Sequence, residues 1–364
     1  MKFLKDVFGK KSSKTYSNKD FWNWFLKNEK LFFKVLQEGN NIEKSFFDKL
    51  SPKLDQLREG FFYLTGMYDH NTAELVLTVD GSVKNIVFVE DLVNSAPEIK
   101  GWKFTALKPA SDIKDASIEM SDYKFNVDNL SFYSNEFSEY PDEIDIVVVH
   151  QDFSKEDEST ITNGTYIFID TYLGELDSVT VIDNMRIVGM EDIQHDLVPI
   201  EKLKDFLHWR QKEFIEKYEG VRANTEEDNF SIMEAEIENG NVLIAVINTD
   251  LLNWDSKASH PWILTVEIKY DGENNNGMPD DKTYKLLEEI EDNFLDVLKD
   301  FDGYLNIGRQ TSNNLREIFF ACKDFRKPST VANNIQKTYS DKIEIAYDIY
   351  KDKYWQSFER FNRN

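Results

Sequence analysis

One cysteine in 364 residues, Cys322, excludes an internal disulfide and any thiolate metal cluster, and points to a reducing compartment, the cytoplasm. The five histidines, His70, His150, His195, His208 and His260, show neither HxH nor HExxH spacing, so a histidine metal site would have to assemble wholly by long-range folding. No Gly-rich phosphate loop, G-x-S-x-G elbow or C-x-x-C pair is present, and no apolar run approaches the roughly 18 residues of a spanning helix. Positive charge is also scarce. There are 43 basic and 67 acidic residues, a net charge of −24, and residues 222–364 alone hold 17 basic and 27 acidic ones, so both halves are acidic. Such a field repels polyanions, which removes nucleic acid and anionic membranes as partners. It fits either a plain solvated surface or a face for a basic protein partner.

What is present is enough to build packed cores: 41% of residues are hydrophobic and the apolar runs are strand-length. The length predicts two α+β domains. We expect a flexible lysine-rich tail over 1–18, an N-terminal α+β domain over 19–220, a polar linker over 221–228 and a second domain over 229–364. The tail has no apolar core or cleavage site of a signal peptide; Phe3, Leu4, Val7 and Phe8 would make one amphipathic turn at most.

Ser17 with Asp20 reads as a helix cap, and Phe21, Trp22, Phe25, Leu26, Phe32, Phe33 and Leu36 follow with helical spacing. Ser51-Pro52 reads as a fresh cap for a short helix. Phe61–Thr65 and Leu75–Val79 read as a hairpin, 87–94 as a helix, and Trp102–Leu107, Phe132, Ile144–Val149, Tyr166–Ile169 and Val179–Ile182 as strands. The nine carboxylates of 136–158, set against the single Lys155, read as a solvated rim. From 229 the pattern predicts a β-hairpin followed by strand, helix, strand, strand, helix, strand, which is the ferredoxin-like order.

The segments Pro261-Trp262-Ile263-Leu264, Asn276-Gly277-Met278-Pro279, Glu289-Ile290-Glu291-Asp292, and above all Gly308-Arg309-Gln310-Thr311 with Leu315-Arg316-Glu317-Ile318-Phe319-Phe320, resemble the bacterial family called domain of unknown function 695. The resemblance covers roughly 229–364. Members of that family are sometimes joined to, or described alongside, the ribonuclease E inhibitor known as regulator of ribonuclease activity B, which is similar in being small, acidic and ferredoxin-like, and the resemblance brings no catalytic residue. Residues 60–109 are similar to a second uncharacterised bacterial domain.

Within this region Arg309, Arg316 and Glu291 form the candidate network. Pairing Arg309 with Arg316 across the hairpin would set both on one face with Leu305, Ile307, Ile318 and Phe320, and Glu291 lies at the edge of the apolar stripe of the preceding helix. Two roles are open: an ion pair locking helix to hairpin, or a site for an anion or a partner's carboxylate. The loop Asp271–Gly277 looks like a calcium loop but has Asn276 where glycine is required and Lys282 where a bidentate glutamate is required. Cys322 reads as a small core residue. No cofactor, metal or catalytic residue is expected, and the balance favours a protein-binding or regulatory module. The alternative is a metal-assisted hydrolase using scattered carboxylates such as Asp80, Asp170 and Glu175.

Overall fold

The computed structural model describes residues 16–362 apart from Asp115 and Asn239. The tail expected over 1–18, with Phe3, Leu4, Val7 and Phe8, therefore lies largely outside the described residues. The chain is mixed α+β and splits into two compact units. One comprises the chain through Asp80 together with Val89–Leu107; the other comprises Gly81–Phe88 and everything from Lys108 onward, so residues 221–228 lie within the second.

The first unit opens with α1 (Asn18–Glu38), started by the reciprocal Ser17–Asp20 capping box and ended by Gly39 in the left-handed conformation. The next helix, α2 (Asp48–Leu57), does not restart at Ser51: it runs through Pro52 and is entered by a π-helical turn at Glu43–Phe47. The Ser51 hydroxyl bonds the Phe47 carbonyl and the Tyr63 hydroxyl rather than capping. Strands β1 (Phe62–Asp69) and β2 (Thr72–Thr78) form the hairpin. Helix α3 (Val83–Asn94), divided between the units, leads to β3 (Trp102–Ala106), which pairs parallel to β2. One face of this sheet is covered by an aromatic core in which Phe32 and Phe46 stack at 4.3 Å and Trp102 meets Phe25 edge-on at 5.0 Å.

In the second unit β4 (Ile118–Met120) and β5 (Tyr123–Phe125) make a small hairpin. Strands β6 (Leu130–Asn135) and β7 (Asp145–His150) follow, then α4 (Glu158–Leu173), α5 (Glu175–Thr180), β8 (Asn184–Val188), β9 (Val198–Pro199) and α6 (Leu203–Tyr218). The sheet order is β8-β7-β6-β9, with β7 and β8 parallel. Tyr166–Ile169 and Val179–Ile182, expected as strands, fall within or beside α4 and α5. Their β-branched and aromatic residues favour strand locally, but parallel strands need a long crossover, and Ile161, Thr165, Phe168, Tyr172 and Leu173 are buried at helical spacing.

The chain then forms β10 (Phe230–Glu236), β11 (Val242–Asn248), α7 (Thr249–Leu252), β12 (Trp262–Lys269), α8 (Asp281–Val297), β13 (Tyr304–Ser312), β14 (Leu315–Cys322), α9 (Arg326–Tyr339) and β15 (Glu344–Lys351). These six strands make one antiparallel sheet in the order β10-β11-β13-β14-β12-β15. One face packs on Leu251, Leu252, Trp355, Phe358 and Phe361 through Ile247, Ile263, Leu305, Ile307 and Phe319. The opposite face carries α8, where Phe294 meets Phe320, and α9 packs beside α8.

Candidate functional site

Helix α8 is started by Asp280, whose carboxylate accepts the Thr283 N–H at 2.7 Å, and it buries Leu287, Ile290, Glu291 and Phe294. The β13–β14 hairpin turns on Asn313 and Asn314, both at positive φ. Its register sets Thr311 opposite Arg316 and Arg309 opposite Ile318, not Arg309 opposite Arg316. A bulge between Asn306 and Gly308 inverts the alternation. Leu305 and Ile307 therefore enter the core on the far side, and only Ile318 and Phe320 share the arginines' face. Gly308 is needed there: its φ is +136°, and a β-carbon would collide with the Val246 carbonyl.

The structure brings the three candidate residues together. Arg309 Nη1 donates to Glu291 Oε1 at 2.7 Å, and Arg316 Nη1 lies 3.8 Å from Glu291 Oε2. Arg316 is buried; its Nε donates to Thr311 Oγ1 at 3.1 Å and its guanidinium lies 5.2 Å from the Tyr284 ring centroid. Glu291 Oε2 and Arg316 Nη1 make no hydrogen bond among the described residues. Burial, reinforced by Arg309, pulls the Arg316 guanidinium down; burial also opposes charge on Arg309, but Glu291 outweighs it and the net shift is upward. Two cations thus share one carboxylate.

A second cluster was not foreseen. The carboxylates of 136–158 are not all a solvated rim. Asp145 is buried and accepts from Asn135 Nδ2, while Asp142 accepts from Lys217, Tyr218 and Tyr354 at 2.7–2.8 Å. Lys351 and Lys353 at the end of β15 both reach Asp183 at 2.7 Å. Lys353 Nζ also donates to the Asp142 carbonyl at 2.6 Å, Lys351 Nζ to the Val181 carbonyl at 3.1 Å, and Asp183 accepts the Ile144 N–H at 2.7 Å. Beside them opens a cleft of about 530 Å³ bounded by Phe137, Tyr140, Glu143, Asn184, Tyr350 and Lys351. Burial, then the neighbouring Lys353, pulls the Lys351 amine down to about 8. Burial and the Asp183 carboxylate push Glu143 up. Every polar atom at the centre has a partner, so the cluster's direct effect is to tie β15 to the β7–β8 sheet. Only the Lys-x-Lys spacing at a strand end hinted at it.

The carboxylates proposed for hydrolysis are otherwise engaged. Glu175 is buried and accepts the backbone N–H groups of Gly81 and Lys108, and Asp170 pairs with Lys108 Nζ at 3.0 Å. Asp80 belongs to the first unit. Among the described residues no group of three or more His, Cys, Asp or Glu side chains is placed to hold a metal. The Asp271–Gly277 loop forms a 3-10 turn closed on Asn276 and Gly277 with left-handed φ, and Cys322 is fully buried. A cavity of about 830 Å³ near the start of α8 is lined by Lys269, Asp280, Lys282, Lys342 and Glu344, in which Lys269 and Glu344 pair at 2.7 Å.

Residues 228–361 match the family of unknown function DUF695. No curated protein sequence and no solved structure matches the chain. No helix among the described residues is long and apolar enough to cross a membrane.

Proposed function

We propose that this protein is a protein-binding or regulatory module whose C-terminal part is a ferredoxin-like domain extended by the β10–β11 hairpin. The observation that carries the reading is that large apolar side chains on edge strands stand in solvent while the charged clusters are closed on internal partners. On β10, Phe230 is 50% and Ile232 75% exposed; on β1, Phe62, Leu64 and Tyr68 are more than half exposed. Edge strands of that kind are usually guarded by charge or covered, and contiguous apolar surface marks contact sites. The strand order β13-β14-β12-β15, with helices between first and second and between third and fourth in chain order, supports the ferredoxin-like description. The acidic surface supports a basic partner.

Immobilised full-length protein, used to capture partners from lysate with quantitative mass spectrometry, tests this when each hit is re-measured by calorimetry with purified components. A saturable complex with a Kd of about 1 µM or tighter is expected. Absence of any such complex, together with turnover of a compound in a metabolite panel, would replace the reading by an enzymatic one. The narrower ribonuclease-inhibitor form predicts stoichiometric slowing of RNA cleavage by a captured ribonuclease, and an unchanged rate removes it.

A further inference from the structure

The six-stranded sheet is wider than the helices laid on it. Adjacent strands lie about 4.8 Å apart and a helix is about 10 Å across, so one helix covers about two strands. Two long helices, α8 and α9, serve six strands, and Glu289 and Asn293 of α8 reach Tyr339 of α9, which fixes the flank of α8 turned toward α9. Its opposite flank carries Tyr284, Glu288, Glu291 and Leu295 at helical spacing, and Glu291 reaches Arg309 on β13. Beyond Arg309, directly opposed residues continue on that same face: Val246 pairs with Arg309 and Ile232 with Val246, and Ile244 pairs with Thr311 and Glu234 with Ile244. The β10–β11 part of this face is therefore apolar and open: Ile232 is 75% and Phe230 50% exposed, and Ile244 and Val246 are half-buried.

Its border is acidic. Glu234 and Glu236 stand exposed on β10 and Glu288 on α8, while Arg309, the cation on the floor, is already paired with Glu291. We propose that this face receives an amphipathic helix from a partner protein, with an apolar stripe set on Ile232, Ile244 and Val246 and lysine or arginine on its flanks meeting Glu234, Glu236 and Glu288. The seven-residue strands span about 23 Å, which a helix of about 15 residues matches. The inference rests on the protein-binding reading above and names its surface and partner.

The probe is a fluorescein-labelled 15-residue leucine–lysine amphipathic peptide, titrated against the full chain by anisotropy, with a leucine–glutamate peptide of the same pattern as control. The lysine peptide should bind at least tenfold more tightly than the glutamate one. Ile232→Lys and Glu234→Lys, both at exposed positions and checked for unchanged melting, should each weaken it at least fivefold, and Leu64→Lys should leave it unchanged. Equal binding of the two peptides, or binding insensitive to both β10 changes, overturns the proposal. Concentration-dependent dimers in sedimentation that Ile232→Lys abolishes would also overturn it, in favour of a second copy of the chain. A purified partner that binds wild type and Ile232→Lys equally removes this surface but leaves the protein-binding reading standing.

Discussion

Replacing Lys351 by methionine isolates the cost of holding two ammonium groups on the single carboxylate of Asp183. Both nitrogens lie 2.7 Å from that carboxylate, and the lysine side chains are only 12% and 1% exposed. Burial and the Lys353 charge lower the Lys351 pKa from 10.5 to about 8. Between those values the unfolded chain holds a proton that the folded chain has released, so stability rises with pH through that window and the penalty is complete below pH 8. At about 1.4 kcal/mol per pKa unit, the depression corresponds to about 3 kcal/mol. Methionine keeps much of the stem's packing, removes the ammonium, and leaves Asp183 and Lys353 matched one to one, at a loss of about 1 kcal/mol for the missing hydrogen bonds. Lys351→Met should therefore be at least as stable as wild type at pH 7 and should lack the wild-type rise between pH 8 and 10. Urea melts by circular dichroism across that range are the assay. The Cys322 thiol, pushed up by burial, and Tyr270 and Tyr339, pushed up to about 12, lower stability at the alkaline end in both proteins. The difference between the two curves is thus the readout. Parallel curves, or a loss above about 3 kcal/mol at pH 7, would refute the reasoning, the latter by showing that the ion pair outweighs the excess charge.

Asp183→Asn should cost about 3–5 kcal/mol at pH 7, because it strands two poorly exposed cations, and denaturant melts check it. If the Arg309–Glu291–Arg316 network is structural, Glu291→Gln and Arg309→Met should each cost about 1–4 kcal/mol, and the double change less than their sum. Additive small effects in the double-mutant cycle would promote the arginines to contact residues. Gly308→Ala should destabilise by about 2 kcal/mol or more and disturb β11–β13 pairing in amide exchange, since the methyl meets the Val246 carbonyl; an unchanged melt would sink the role given to the bulge. A fragment over 222–364 is proposed to fold, yet less stably than in the full chain because Lys351 and Lys353 lose Asp183. With those partners and the covering residues gone both ammonium groups face water, so Lys351→Met and Lys353→Met should change its melting temperature little, and a gain of several degrees from them would count against this account.

The helices and strands of 262–351 were legible because their periods are clean and the core stripe of α8, from Leu287 to Phe294, has no competing signal. The presence of Glu291 beside the arginines was legible for the same reason. The side of the sheet on which Leu305 and Ile307 fall was not, since a single inserted residue at the Gly308 bulge reverses parity without altering composition. Tyr166–Ile169 reads as a strand because strand propensity outweighs helical burial spacing over so short a run, yet it lies within α4. The Asp183 cluster was not legible for a different reason: its partners lie 170 residues apart, and the Lys-x-Lys spacing alone names no partner at that range.

That separation also orders events in time. A ribosome releases Asp183 and the β7–β8 strands long before it reaches Lys351 and Lys353, and domains tend to form as they emerge. Through that interval the middle sheet carries an Asp183 carboxylate without either of its lysines, and Asp142 lacks Tyr354. Around Asp142 and Asp183 the nascent chain thus carries carboxylates short of their partners until β15 is made, and adding that strand is charge neutralisation as well as strand pairing. An arrest peptide joined after residue 340 or after residue 362 through a linker long enough to clear the exit tunnel should accordingly report weak and strong pulling by the β8-β7-β6-β9 sheet.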